Sequence, residues 1–348
     1  MSQDPSSLTI HDVAAHVGVS AMTVSRVLNK STRVAESTRQ KIEEAIRQLG
    51  YVPNTLARGL RASTRTLALI IPDVSNPFFT DIVHGAEEVA WQQGYTVFLG
   101  NTHSSAEREK HYLYKFLGHS IDGLLIAPSG DVTKAALDDV RARGIPYVLV
   151  DANVQGTKSD TVLGDNVAGA TQLTEHLISL GHKRIAYIGG RPDISTAQDR
   201  ERGYKKALTK HGLDIRPGYI YSSNFRRQEG YDIAKSLATL TAPPTAIFAA
   251  NNELAVGVVE ALRDMKLKIP QDMALVCFED VELASALNPF LTVMAQPAKE
   301  FGRVGATFLL ERILHPELAV RSRILAPSLI VRESCGANLK SKFYKVIR

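Results

Sequence analysis

Near the start of the chain, apolar residues recur at spacings of three and four. Ile10, Val13, Ala14 and Val17 share one face of a helix. Val24, Val27 and Leu28 form the stripe of a second helix over 21–28, and Ile42, Ala45, Ile46 and Leu49 that of a third over about 36–49. The punctuation agrees. Thr9-Ile10-His11-Asp12 reads as a capping box, in which Thr9 accepts from the Asp12 backbone N–H and Asp12 reaches back. Gly18 stands where a left-handed residue ends a helix cheaply, Ser20 caps the second helix and Gly50 stops the third. Only Gly18-Val19-Ser20 separates the first two helices, which describes a helix-turn-helix.

Beyond residue 65 the pattern changes to short apolar runs. Strands are predicted at 67–72, 96–99, 123–127, 147–150, 184–188, 220–222, 246–249, 274–278 and 291–294, with amphipathic helices such as 79–93 and 166–180 between them. Repeated βα units imply parallel sheets covered on both faces, so the predicted class is an α/β body behind an all-α head. In open α/β sheets ligands bind outside the carboxyl ends of the strands. That rule selects Asp73, Asn101, Asp151, Asp165, Asn251 or Asn252, and Asp280. Short acids and amides suit a hydroxyl-rich ligand that needs many acceptors. Phe78, Phe79 and Phe225 supply apolar or stacking walls, and Thr196 joins the same candidate set. The plain alternative for each acid is a helix cap or turn former.

Charge sharpens the division. The formal net charge is +5, and residues 1–65 carry +4 of it. The stretch 66–339 is at −3, and the last nine residues add four cations and no acid. A basic head on a mildly acidic body fits a polyanion partner for the head alone. The outward residues of the second helix, Ala21, Met22, Thr23, Ser25 and Arg26, are slender or polar enough to reach base edges in a major groove. A three-helix protein-interaction module is the alternative.

Other chemistry is sparse. Cys277 and Cys335 are the only cysteines, too few for a disulfide framework or a four-ligand zinc site. There is no Gly-x-x-x-x-Gly-Lys-Ser/Thr loop, no Gly-x-Ser-x-Gly elbow and no His-Glu-x-x-His pair. His176 and His182, six apart, suit no simple metal site. No catalytic residue, metal or cofactor is expected. The N-terminus lacks the features of a signal peptide, and no apolar run approaches the about 20 residues of a membrane span. A cytoplasmic location follows as the expectation, with no membrane partner. It argues against a sugar-binding transport protein. An α/β enzyme with a fused DNA-binding head remains the rival reading.

The run LTIHDVAAHVGVSAMTVSRVLNKSTRVAESTRQKIEEAIRQLGYVPNTLARGLR resembles the DNA-binding head of the lactose-repressor/galactose-repressor (LacI/GalR) family. The resemblance continues through TRTLALIIPDVSNPFF, DGLLI, GHKRIAYIGG, FAANNELAVG and LTVMAQP to about residue 333. It implies that Thr23, Ser25, Arg26 and Asn29 contact phosphates and bases, and that Ala21 and Met22 set operator preference. Thr9, Ser20, Arg33, Asn54, Ala57 and Arg61 complete the candidate DNA-binding set. Residues 53–65 match the family's hinge segment, which forms a short helix only on DNA and inserts a leucine, here Leu60, into the minor groove. Such a short segment is too weak a helix to stand alone, and Gly59 weakens it by about 1 kcal/mol more.

The resemblance further implies a two-lobed body like periplasmic sugar-binding proteins. The expected boundaries are 1–52 for the head, 53–65 for the hinge, 66–339 for the body and 340–348 for a basic tail. Lobe 1 would hold about 66–164 and 296–325, and lobe 2 about 165–295 and 326–339, with crossings near Gly164, Gln296 and Ala326. Arg200, followed by Gly203 and Tyr204, matches a motif whose arginine binds the effector, with Arg202 as its confusable neighbour. Two positions depart from the family. Ala35 stands where a serine usually caps the third helix, a loss of about 1 kcal/mol. Asn252 stands where an acid usually accepts from the effector. EDVELASALNPFLTVMAQP is similar to ribose-type and other sugar-responsive members, so a sugar or sugar derivative leads, with a purine, nucleoside or sugar acid also open. The expected protein is a homodimeric repressor on double-stranded, pseudo-palindromic operator DNA. The tail is too short for the heptads of the family's tetramers.

Overall fold

The computed structural model describes residues 8–28, 33–51, 64–130, 133–280 and 288–337. The chain divides into two compact units, Met1–Thr64 and Arg65–Arg348.

The first unit is helical: α1 (Ile10–Val17), α2 (Ala21–Leu28) and α3 (Glu36–Leu49). Val13, Ala14, Val24, Val27, Ile42, Ala45 and Tyr51 form its core, drawn from the stripes predicted by periodicity. Gly18, at φ 74°, ends α1 in the left-handed region. The expected capping box is present, with the Thr9 side chain toward the Asp12 backbone N–H and the Asp12 side chain reaching back. The Asp12 carboxylate accepts the Thr9 backbone N–H at 2.7 Å and also the Thr9 hydroxyl at 2.6 Å. Those bonds hold the Asp12 carboxyl below its ordinary pKa. Ala35 leaves α3 without a side-chain cap.

In the second unit the chain first builds one lobe. It contains β1 (Thr66–Ile71), α4 (Pro77–Gln92), β2 (Thr96–Asn101), α5 (Ala106–Gly118), β3 (Gly123–Ile126), α6 (Thr133–Ala142), β4 (Tyr147–Asp151) and β5 (Asp160–Gly164). It then crosses to a second lobe with α7 (Asn166–Ser179), β6 (Ile185–Gly189), α8 (Ser195–Lys210), β7 (Ile220–Ser222), α9 (Arg227–Ala238), β8 (Ala246–Ala249), α10 (Asn252–Asp264), β9 (Ala274–Phe278) and β10 (Thr292–Ala295). It returns to lobe 1 for α11 (Ala298–Leu314) and β11 (Ser322–Leu325), and ends in lobe 2 with β12 (Ser328–Ile330). The sheets run β11-β5-β4-β3-β1-β2 and β12-β10-β9-β8-β6-β7. The first is parallel throughout. The second is mixed, because β12 runs antiparallel to β10.

The central strands β1, β3, β4, β6, β8 and β9 are buried along their whole length. That explains their continuous apolar runs, since helices cover both faces. Sequence pattern missed β5, β11 and β12. β5 alternates between buried and half-buried positions, and the two edge strands are mostly exposed, so none carries such a run. At the first crossing, a Cβ on Gly164 would fall 2.2 Å from the Gln296 Oε1, so the first two crossings lie side by side and a larger residue would need the Gln296 side chain to move.

Candidate functional site

In the head, α2 turns Met22 and Arg26 to solvent, with Ala21, Thr23 and Ser25 partly exposed. Thr9, Ser20 and Arg33 are exposed too. The Ser20 hydroxyl accepts the Thr23 backbone N–H at 3.2 Å, capping α2 and orienting its first turn. Asn29, Asn54, Ala57, Leu60 and Arg61 lie outside the described residues.

In the body, the carboxyl ends of both sheets open on one inter-lobe cavity of about 500 Å³. Seven of the sequence candidates line it: Asp73, Phe79, Asp151, Thr196, Arg200, Phe225 and Asn251, the last from the pair Asn251 or Asn252. Eight non-glycine residues among those described hold a left-handed φ. Five of them, His103, Ser104, Asp151, Phe225 and Glu279, line this cavity. Such conformations are costly for ordinary side chains and persist where the surroundings impose them, typically at binding sites. Phe225 lies over Gly190, where a Cβ would come within 2.0 Å of its ring.

Arg200 is the centre of the floor and is only 2% exposed. It donates from Nε to Asn166 Oδ1 at 2.8 Å, from Nη1 to the Ala250 carbonyl at 2.6 Å and from Nη2 to Glu279 Oε1 at 2.9 Å. Its guanidinium sits 4.1 Å from the centroid of the Phe278 ring. Asp151 reaches the same floor from the end of β4, and its buried Oδ1 has no hydrogen-bond partner. Burial pushes the Asp151 carboxyl up to about 6 and that of Glu279 up to about 7, against the opposing pull of Arg200. Arg202, by contrast, is exposed and pairs with Asp199 on its own helix at 2.8 Å.

Five candidates fall elsewhere, and each has a local reason. Asn101 accepts the Val74 N–H at 3.3 Å in its own lobe. Phe78 is buried in the lobe-1 core, edge-on to Phe79 and Phe301. Asp165 caps α7 by accepting the Ala168 N–H at 3.0 Å. Asp280 forms a two-pronged ion pair with Arg332 at 2.8 and 2.6 Å. Asn252 exchanges two 3.0 Å hydrogen bonds with the Asn76 amide, from lobe 2 to lobe 1. A second inter-lobe bond runs from the Asn153 N–H to the Ser195 Oγ at 2.8 Å. The main omission was Glu279. The signal for it was the strand-end rule itself, since β9 stops at Phe278 and Glu279 is the next residue. Arg108, Arg226 and Glu253 also line the cavity and were not selected.

Residues 9–54 match the model of the bacterial regulatory proteins of the lacI family, and residues 174–335 that of the periplasmic binding protein-like domain. The HTH-type transcriptional repressor PurR of Haemophilus influenzae (strain PittEE) is 35% identical over 331 residues, covering 94% of this chain and 98% of that protein. The chain belongs to the lacI family of bacterial regulatory proteins. The ribose operon repressor of Escherichia coli (strain K12) is also 35% identical, covering 94% of this lacI-family chain and 99% of its own. Among solved structures, the lac repressor dimer bound to operator and the anti-inducer ONPF aligns with a TM-score of 0.78 and 27% identity, covering 94% of this chain and 99% of that one. The body therefore has the two-lobed arrangement of lacI-family regulators.

Proposed function

We propose that the chain is a sequence-specific transcriptional repressor whose operator affinity is switched by a small hydroxyl-rich effector held between the body lobes. The observation that carries this is the inter-lobe cavity, where Arg200 and Glu279 from lobe 2 meet Asp151 from lobe 1 behind the wall formed by Phe79 and Phe225. Supporting the DNA half, α2 offers Met22 and Arg26 to solvent next to a capped first turn. Supporting a homodimer, β2 is the free edge of its sheet with Phe98 and Leu99 exposed, and Trp91 is 75% exposed. The ribose operon repressor among the relatives supports a sugar-type effector, and the lac repressor dimer bound to operator supports a dimer on a pseudo-palindromic operator. We infer a regulator rather than an enzyme, working on the chromosome in the cytoplasm. We assign 1–52 to DNA reading, 53–65 to the hinge and 66–339 to effector binding and dimerisation.

The test is selection of bound sequences from random duplex DNA by the full chain. A pseudo-palindrome should emerge, and its affinity should fall steeply with salt as phosphate counterions are released. Failure to enrich any sequence, or the same enrichment by residues 62–348 alone, overturns the assignment.

A further inference from the structure

The charges that face the inter-lobe cavity balance around its rim. Asp73 and Arg108 stand on lobe 1, and Glu253 and Arg226 on lobe 2. Arg227 is held by Glu260, and the His103 ring by the Asn101 amide. Behind the floor, Asp280 is matched by Arg332, and burial keeps the Cys277 thiol protonated. The floor itself does not balance. Asp151 arrives from the end of β4 and Glu279 from the end of β9, on opposite lobes, and both face the single Arg200. Closing the lobes thus brings two carboxylates to one guanidinium. One negative charge is left without a counterion among the described residues, which a buried site tolerates poorly.

We propose that the effector supplies the missing charge: it is a hydroxylated small molecule bearing a protonated amine, whose ammonium lies against Asp151 and Glu279. This deepens the effector reading above and rests on it. Three of the five N–H groups of Arg200 are already committed, and one face of its guanidinium is covered by Phe278. A ligand carboxylate would therefore meet an arginine that Glu279 has neutralised, and would add a second uncompensated charge. An ammonium instead meets the unmatched Asp151 oxygen. Burial raises both carboxyls above their ordinary values of 3.8 and 4.5, to about 6 and about 7. Between those values the folded chain binds more protons than the unfolded chain. This pair therefore favours the fold at acid pH and loses that contribution as pH rises through about 6 to 7.

The experiment uses the full chain in two arms. In the first, without ligand, the melting temperature is followed from about pH 5 to about pH 8 for wild type and Asp151→Asn, a change that keeps a residue tolerant of left-handed φ. The wild type should lose melting temperature relative to the variant as pH rises, and parallel profiles would overturn the unmatched carboxylate at the floor. In the second arm, matched sets are titrated at neutral pH: glucose, glucosamine and glucuronate, and the corresponding galactose set. The amine should bind about tenfold or more tighter than its neutral parent, with the uronate weakest, and Asp151→Asn should erase the preference. A neutral parent that binds as well as its amine, or a panel in which no amine binds, overturns the amine. The first of these results leaves the effector reading intact. A small molecule that releases operator equally from wild type and from an Arg200→Ala, Asp151→Asn double variant would instead fail the effector reading itself.

Discussion

Arg200 has two jobs that sequence alone presents as one. It is the arginine of the cavity floor, and among the described residues it is also the cation paired with the buried Glu279 carboxylate, at 2.9 Å. Removing one partner of a buried pair is strongly destabilising, by about 3–5 kcal/mol, because the other charge is left uncompensated. Arg200→Ala should therefore weaken the body as well as abolish the effector response. In urea denaturation the double variant Arg200→Ala, Glu279→Gln should recover part of the loss, since the orphaned acid is gone. No recovery would mean that the arginine's stabilising role lies in its bonds to Asn166 and Ala250 instead.

At the level of single elements, α3 lacks the side-chain cap that α2 has from Ser20. Position 35 already holds φ −58° and ψ 140°, a conformation open to serine. Ala35→Ser should add about 0.5–1 kcal/mol to the head, read as slower hydrogen exchange of the α3 amides. Unchanged exchange would show that the hydroxyl finds no N–H there. On α2, Arg26→Ala should weaken binding to DNA. A phosphate contact would do so evenly across sequences and lower the salt slope by about one, whereas a base contact would relax preference at one position of the operator.

For the whole molecule the relevant variable is the separation of the lobes. The reciprocal Asn76–Asn252 pair is buried and spans them. Each bond is worth about 1 kcal/mol net, so Asn252→Ala should disfavour the closed form and lower effector affinity by up to about tenfold. Asn252→Asp keeps an acceptor for the Asn76 amide but cannot donate back, and should fall between the two. Equal effector titrations for all three proteins would exclude this pair as a closure contact. The hinge, whose test residue Leu60 lies outside the described residues, carries the matching prediction on the DNA side. Leu60→Ala should keep effector binding and lose much of the discrimination between operator and scrambled duplex, in a paired titration. Light scattering should give a dimer.

Local physics was readable from the chain. The stripes of α1, α2 and α3, the glycine stops and the runs of the central strands follow from periodicity and from burial on both faces, and each depends on residues close in sequence. The strand-end rule likewise brought Asp73 and Asp151 to the cavity from sequence, and the resemblance brought Arg200. What only the tertiary structure decided is which neighbour each polar group meets. Asp280 looked like Asp151 until Arg332, fifty-two residues away, was found to hold it. Asn252 looked like an effector ligand until Asn76, 176 residues away, proved to share its amide. Glu279 became part of the floor because Arg200, seventy-nine residues away, needs a counterion there. A carboxylate or amide has the same local pattern whether it faces a ligand, a cation or another amide. The choice is made by partners that long-range packing brings together, and no spacing along the chain encodes it.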